Sequence, residues 1–327
     1  MASRRYFYTT IMTTGVFASV DLVWLGRSTV SLSPLNWSDF ATVAACVAGA
    51  VVVSRFVEWR LATDASRMAR IIRRASDFLQ SLALVTAAFV PLAISTTIFM
   101  YLASATERPF ADPTLASIDM WLGFDWQRFL AATNNGIVAP VLSFAYHALG
   151  PQLPLVLLWH AVTRRNDRAM ELVALLAVSS LFTGASMAIV PAEGAYAYFR
   201  PAAEQFNHFT AKAGVWHYDT LMALRSGQPF DLVVIKSDGL VTFPSYHTAL
   251  GIMIVYALRR YRWLFWPVGC LNAIMIVSTL PEGGHHLIDV IAGTMVGIAS
   301  ILVVRKIGSY HLQTARTPST AYPAAEA

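Results

Sequence analysis

Residues 281–290 read PEGGHHLIDV, a polar and glycine-rich stretch that opens an apolar run extending to residue 304. His285 and Asp289 are four residues apart, so they share one face if the run is helical. A carboxylate at that spacing can hold one imidazole nitrogen and leave the other free for chemistry. His286 is also within reach of Asp289, and spacing alone leaves the choice between the two histidines open.

A second polar stretch, residues 240–249, reads LVTFPSYHTA and opens another apolar run. Its proline is favoured in a first helical turn, which places Ser245 and His247 at the start of that helix. One hairpin of apolar runs separates the two stretches, so both helices are predicted to begin on the same side of a membrane. We predict one anion-binding site there, where Gly283 and Gly284 allow close approach of the backbone and the helix N-terminus favours negative charge.

The composition is that of an integral membrane protein. Of 327 residues, 56% are hydrophobic and 13% are charged, whereas a soluble domain has about 25% charged residues. A helix needs about 20 apolar residues to cross the hydrocarbon core. Eight stretches qualify: 6–26, 37–57, 80–103, 137–161, 169–190, 244–258, 263–280 and 286–304. The sequence therefore predicts an all-α, polytopic transmembrane helical bundle of about eight spans.

The positive charges predict the orientation of this bundle. Lys and Arg number 24 against 19 Asp and Glu, and in a membrane protein such an excess sets topology rather than binding nucleic acid. With the N-terminus in the cytoplasm, 17 of the basic residues fall in cytoplasmic segments and 7 outside. Both termini are therefore predicted to be cytoplasmic, with the two polar stretches facing the periplasm, exterior or lumen, most simply in a bacterial inner membrane.

Three regions are predicted along the chain. Residues 1–77 contain two spans and a basic segment, 59–77, that is either an interfacial helix or an ordinary loop. Residues 78–306 form the catalytic transmembrane core. Residues 307–327 are predicted to be a disordered cytoplasmic tail. We see no His/Cys cluster with metal-ligand spacing and expect no metal and no cofactor.

The two polar stretches resemble motifs of the type-2 phosphatidic acid phosphatase superfamily. The PSGH-type second motif corresponds to residues 244–247, with Tyr246 in place of the commoner glycine. The third motif has the form SR, five residues, H, three residues, D, and corresponds to Ser278-Thr279 followed by His285 and Asp289. This register selects His285 rather than His286. Further segments resemble the inositol phosphorylceramide synthase-like (inositolphosphotransferase) branch.

The resemblance implies a six-helix phosphatase-type core and a defined chemistry. His285 would attack a lipid phosphate to form a phosphohistidine, Asp289 would orient it, and His247 would protonate the leaving oxygen. The phosphate oxygens would be held by Ser245, Gly283 and Gly284. The partners would be a membrane lipid, sphingolipid metabolism being one setting, and an alcohol acceptor such as inositol, ceramide or diacylglycerol. The oligomeric state is left open.

Two cations of the superfamily pattern are missing. Thr279 stands where the third motif has arginine, and Glu193 stands where the first motif, ending here at Arg200, has lysine. The replacement charges are predicted to come from the outer face, with Arg200 and Lys236 as phosphate-binding residues and Arg225 as a further candidate.

Two other functions are compatible with these residues. A protein lacking the two cations would be a catalytically silent membrane protein that binds lipid phosphate. A transporter would use Asp21, His160 and Asp289 as buried polar relays.

Overall fold

The computed structural model describes residues 2–314. Helices dominate the described chain, and two three-residue strands pair in parallel. The helices are α1 (Ala2–Leu25), α2 (Leu35–Arg60), α3 (Arg67–Ser104), α4 (Asp112–Trp121), α5 (Trp126–Thr133), α6 (Val138–His147), α7 (Leu149–Val162), α8 (Asn166–Ile189), α9 (Ala195–Phe199), α10 (Lys212–Val215), α11 (His217–Arg225), α12 (Tyr246–Ala257), α13 (Arg262–Ser278) and α14 (Leu287–Thr314). The strands are β1 (Val30–Leu32) and β2 (Phe230–Leu232).

The prediction of a helical membrane bundle is confirmed, whereas the predicted number of about eight spans is not. Each of the eight apolar stretches is helical, and five helical segments are long and apolar enough to cross a membrane. These five are Leu35–Arg60, Arg67–Ser104, Val138–Val162, Asn166–Ile189 and Leu287–Ser309. Helices α12 and α13 are apolar but have 12 and 17 residues, short of the roughly 20 that a full crossing needs. The third helix outside the five is α1, which has 24 residues.

The basic segment 59–77 is neither a separate surface helix nor a loop. After a short turn, residues from Arg67 onward form the first turns of α3, which continues without interruption for 38 residues. At 1.5 Å per residue α3 is about 57 Å long, well beyond the roughly 30 Å hydrocarbon core. Its basic end therefore projects past the hydrocarbon, where Asp77 pairs with Arg164 at 2.9 Å.

Helix α8 forms the centre of the bundle. Its residues from Ala169 to Val178 are almost all fully buried, and it packs against α1, α3, α7, α12 and α14. Apolar composition alone does not explain this burial, since the equally apolar α2 is mostly exposed; the position of α8 among five other helices does. Helix α12, which carries His247, and α14, which begins two residues after His285, both pack against this central helix.

Glycines bring α14 directly onto the first turns of α12. A Cβ on Gly293 would lie 2.2 Å from the carbonyl oxygen of Ser245. A Cβ on Gly297 would lie 3.3 Å from Cα of Ala249. This GxxxG spacing allows two helix backbones to approach closely in a membrane. The contact fixes where α12 begins relative to α14.

The long segment between α8 and α12 folds over the ends of the helices. It carries α9, α10, α11 and β2, and β2 pairs with β1 from the α1–α2 connection. Asn36 fastens this pairing, since its side chain donates to the carbonyl of Leu232 at 2.7 Å and accepts from the backbone N–H of Val234 at 2.8 Å. This segment is therefore folded onto the bundle.

The tail predicted over 307–327 falls into two parts. Residues 307–314 continue α14 as helix, in place of the expected disorder. The reason is packing, because Ile307 contacts the central core and its carbonyl accepts a hydrogen bond from Arg5 at 3.2 Å. Residues 315–327 lie outside the described part of the chain.

Candidate active site

A cavity of about 440 Å³ lies where α6, α7, α10 and α11 meet the starts of α12 and α14. Both motif histidines contribute to its wall. The lining residues are Tyr146, His147, Leu149, Gly150, Lys212, Trp216, His217, Gly239, Val241, Thr242, Tyr246, His247, Leu250, Gly283 and His285. The two polar stretches, some 40 residues apart in sequence, therefore face one space.

The imidazole rings of His247 and His285 are close across this cavity. Their centroids are 6.4 Å apart and the ring planes meet at 60°. His247 also stacks on the ring of Tyr146, with centroids 4.7 Å apart and an interplanar angle of 24°. This stacking restricts the orientation of the His247 ring. Because the two imidazole rings are 6.4 Å apart, one small group between them can contact both.

Asp289 holds the ring of His285 from behind. Its Oδ2 lies 3.3 Å from Nδ1 of His285, and the carboxylate is fully buried. Nε2 of His285 is the remaining ring nitrogen on the residue that lines the cavity. His286 reaches the same carboxylate only through its backbone N–H, at 2.9 Å. Of the two histidines, His285 is thus the one whose ring contacts Asp289.

The ring of His286 belongs to a separate, fully buried carboxylate cluster. Its Nε2 lies 3.3 Å from Asp112 and its Nδ1 lies 3.6 Å from Asp119. Burial alone would lower the pKa of His286, but hydrogen bonds that the Asp112 and Asp119 carboxylates accept from its ring, together with the nearby charge of Asp289, outweigh burial and raise the pKa to about 9. His286 is therefore an imidazolium that ties α4 to the start of α14.

The start of α14 is capped by a side chain from α4. Asp119 accepts hydrogen bonds from the backbone N–H groups of Leu287 at 2.8 Å and Ile288 at 2.9 Å. We expected the N-terminus of this helix to point at a bound anion. The carboxylate of Asp119 already occupies that position, because it satisfies the otherwise unpaired donors of the first turn.

The residues predicted to hold phosphate oxygens are placed differently from one another. Gly283 lines the cavity. Gly284 has φ +68° and packs against Tyr196 and Gly214, where a Cβ would lie 2.8 and 3.0 Å from its neighbours. Ser245 is fully buried, and its Oγ accepts from Thr248 at 3.1 Å. Only Gly283 of these three contributes to the wall of the cavity.

The predicted outer-face cations lie away from this cavity. Arg200 donates from Nε to the carbonyl of Ala197 at 3.3 Å. Arg225 lies over the ring of Phe110, 4.1 Å from its centroid. Lys236 lies in the exposed turn Val234–Lys236, next to β2. None of these three cations is among the lining residues.

The cation in the cavity wall is Lys212, at the start of α10. The sequence contains it in the long outer segment, but no motif spacing relates it to the histidines. Tertiary packing alone brings α10 over the cavity, since Gly214 of this helix packs against Gly284 and Tyr196. His217, from the next helix, also lines the cavity, and its Nε2 lies 3.1 Å from the carbonyl oxygen of Glu193.

A second imidazole–carboxylate pair borders the cavity. Nε2 of His147 lies 3.1 Å from Glu282, which is fully buried and receives hydrogen bonds from Ser143 Oγ at 2.6 Å and the Thr210 backbone N–H at 3.2 Å. His147 is half exposed and lines the cavity. Sequence reasoning missed this pair, although Glu282 is part of the PEGGHHLIDV stretch itself.

A smaller, apolar cavity of about 210 Å³ adjoins the first one. The two share Gly239, Val241, Tyr246 and His247. The remaining wall comes from α1, α3 and α8 and consists of Phe17, Thr96, Phe99, Met100, Ser180, Thr183 and Gly184. A molecule with a polar end at His247 and a hydrocarbon end among these helices would fit the two spaces together.

The described chain is thus a bundle of apolar helices, as in an integral membrane protein, that presents two histidines to one cavity with a carboxylate behind one of them. Residues 113–303 match the family model described as the PAP2 superfamily, which is more than half of the 327 residues. The chain belongs to the PAP2 superfamily. No curated protein and no solved structure matches it. Membership indicates a phosphatase-type enzyme, and the match includes both histidine motifs but not α1–α3.

Proposed function

We propose that the protein is an integral membrane enzyme that breaks the phosphoester of a phospholipid headgroup through a phosphohistidine intermediate. Two imidazole rings 6.4 Å apart across one cavity support this function most directly. A nucleophile must lie about 3–3.5 Å from the atom it attacks, and a general acid within about 3 Å of the leaving oxygen. One phosphoryl group between His247 and His285 satisfies both requirements.

The first half-reaction divides the work between the two rings. Nε2 of His285 forms a bond to phosphorus while the bond between phosphorus and the leaving oxygen breaks. His247 donates its proton to that oxygen, and Asp289 stabilises the positive charge on His285. Splitting one displacement into two easier ones is the general advantage of covalent catalysis.

The second half-reaction decides between hydrolase and transferase. An incoming hydroxyl attacks phosphorus, the phosphorus–nitrogen bond of the intermediate breaks, and His247 takes the proton of that hydroxyl. When the intermediate carries an unesterified phosphoryl group, water as the attacking group gives free phosphate. When its phosphoryl group keeps one ester, water gives a phosphomonoester, and an alcohol such as inositol, ceramide or diacylglycerol gives a new headgroup lipid, as expected for the inositolphosphotransferase-like branch that the motifs resemble.

Charge on the phosphate is balanced by residues outside the family motifs. Lys212 lines the cavity, and His147 beside Glu282 can carry a second positive charge. These two groups are suited to replace the arginine and lysine absent at Thr279 and Glu193. Preorganised charges of this kind contribute much of the rate enhancement in phosphoryl transfer.

The uneven distribution of Lys and Arg along the sequence supports an assignment of the cavity to one side of the membrane. Since most Lys and Arg residues fall in one set of segments, we assign the termini to the cytoplasm and the cavity to the extracytoplasmic face, as in a bacterial inner membrane. The apolar cavity next to His247 accommodates the hydrocarbon part of the lipid substrate.

Incubation of the purified protein with phospholipids labelled at phosphorus tests this function. Free phosphate identifies a hydrolase, and a labelled new lipid in the presence of inositol, ceramide or diacylglycerol identifies a transferase. We expect His285→Ala to lose turnover by more than about 10³-fold while remaining folded. His208→Ala, on an exposed loop outside the cavity, is the matched control and should retain activity.

Two results would contradict the enzyme function. Saturable lipid binding with no product from any phospholipid would identify a silent lipid-phosphate-binding protein. Movement of a lipid or ion across vesicles, unaffected by His285→Ala and with no product formed, would identify a transporter.

A further inference from the structure

A second large cavity lies between the first three helices, away from the histidines. Its volume is about 690 Å³. The lining residues are Thr14, Ala18, Asp21, Leu22, Leu25, Leu32, Phe40, Val43, Ala44, Val47, Ala48, Thr86, Ala87, Val90, Pro91, Ile94, Ser95 and Ile98. This region precedes the part of the chain that matches the superfamily, so what is inferred here does not depend on the proposed function.

The cavity contains one buried carboxylate with no counter-charge. Asp21 is 3% exposed, and among the described residues neither of its carboxylate oxygens has a hydrogen-bond partner. Asp21 is the one charged residue among the described side chains that line the space. A buried, unpaired carboxylate is strongly unfavourable, and ionisable groups inside membranes are usually retained for a function.

Two hydroxyl-bearing residues of the wall already use their hydroxyls elsewhere. Thr14 donates to the carbonyl of Thr10 at 2.9 Å, and Ser95 donates to the carbonyl of Leu92 at 3.1 Å. These donors follow the ordinary helical pattern and point back to their own helices. The oxygens of Asp21 therefore remain available to a donor that enters the cavity.

The arrangement of the helices leaves the cavity open towards lipid. Helix α2 packs against α3 rather than against α1, and it is mostly exposed along its apolar length. Asp21 lies one turn from the end of α1, and from there to Thr14 the apolar wall runs for roughly 10 Å at 1.5 Å per residue.

We propose that this cavity binds an amphiphile that consists of a protonated amine and a hydrocarbon chain. The ammonium donates hydrogen bonds to both oxygens of Asp21 and supplies the missing positive charge. The hydrocarbon chain lies against apolar residues such as Val43, Val47 and Val90. An alcohol would offer one donor and no charge, and a carboxylate would be repelled.

Binding of radiolabelled dodecylamine to the purified protein in neutral detergent at pH 7 tests this site. We expect saturable binding to the wild type and at least tenfold weaker binding to Asp21→Asn, which keeps the shape of the side chain but removes its charge. Asp39→Asn in the first turns of α2 is the matched control and should bind like the wild type. Unlabelled dodecylamine should displace the probe much better than 1-dodecanol or dodecanoic acid.

A cavity-filling variant separates the charge from the shape of the site. Ala87→Leu keeps Asp21 but occupies part of the apolar wall, and it should also weaken binding. Equal binding by wild type and Asp21→Asn, or the absence of saturable binding to the wild type, would overturn the assignment. Displacement by 1-dodecanol as effective as by dodecylamine would mean that the space holds ordinary hydrocarbon and is not an ammonium site. Should Asp21→Asn not fold, failure of Ala87→Leu to weaken binding would also refute the assignment.

Discussion

Asp119 of α4 accepts a hydrogen bond from the backbone N–H of Leu287, the first residue of α14, at 2.8 Å. The same carboxylate reaches Ile288 at 2.9 Å and lies 3.6 Å from Nδ1 of His286. A single aspartate thus fixes both the start of α14 and the imidazolium beside it. His285, the proposed nucleophile, lies two residues before this start, so its position depends on a residue more than 160 positions away.

Removal of the cap should therefore loosen the site as well as the fold. For Asp119→Ala we expect a loss of about 2–4 kcal/mol of unfolding free energy, because two backbone donors lose their acceptor and a buried imidazolium loses a partner. Thermal unfolding and phosphate release should both decline. Asp125→Ala removes the cap of the peripheral helix α5 and should affect stability less, with turnover unchanged. Equal effects of the two variants would contradict the linkage.

Short spacings in the sequence point to contacts that the structure contains. His285 and Asp289 are four residues apart and their side chains meet, although His285 lies in the segment before α14 rather than on a shared helix face as expected. The PSYH stretch marks the start of α12. The cap from Asp119, the pair formed by His147 with Glu282, and the cation Lys212 come from segments that meet only through tertiary packing. Spacing along the chain carries no information about contacts between distant segments. For this reason the sequence suggested Arg200 and Lys236, and not Lys212, as the phosphate-binding cations.

A similar explanation applies to which features of the fold the sequence could and could not predict. Apolar composition was enough to predict a helical membrane bundle, because every buried backbone group in lipid must be bonded within its own helix. It was not enough to fix the number of spans, since α12 and α13 are shorter than a full crossing. It also did not predict that the basic residues after Arg67 would join α3.

The pair formed by Asp289 and His285 should control turnover rather than binding. Asp289→Asn keeps the size of the side chain but no longer stabilises a charged imidazole or fixes its tautomer. We expect kcat for lipid phosphate turnover to fall about 10²–10⁴-fold with a much smaller change in KM. Steady-state kinetics on the labelled phospholipid measures both values. A rise in KM with unchanged kcat would mean that Asp289 serves only to bind substrate.

Lys212 should bind the phosphate group, and Arg200 should not. For Lys212→Gln we expect kcat/KM to fall about 10–100-fold, the loss of a charge-assisted hydrogen bond worth about 1.5–3 kcal/mol. The matched variant Arg200→Gln removes a charge from the same outer segment but outside the cavity, and it should change kcat/KM less than about twofold. The opposite order of effects would restore the assignment made from sequence.

The imidazolium of His286 should make stability depend on pH on the alkaline side. Because hydrogen bonds with Asp112 and Asp119 outweigh burial and raise its pKa to about 9, above the unfolded value of about 6.5, its contribution is complete below pH 6.5. The contribution is lost as pH rises through about 9. The unfolding temperature should therefore fall between pH 7 and pH 10. In His286→Gln this slope should flatten, and in His208→Gln it should persist.

The contact between Gly293 and Ser245 should tolerate no side chain. Gly293→Ala places a methyl group 2.2 Å from the Ser245 carbonyl oxygen, which forces α14 away from the start of α12 and separates the two histidines. We expect a loss of about 1–3 kcal/mol in stability and a larger proportional loss of turnover. Gly15→Ala adds the same methyl group in α1, where nothing lies within 4 Å. Because alanine favours helix by up to about 1 kcal/mol over glycine, this control should be neutral or stabilising, and equal behaviour of the two variants would exclude the close contact.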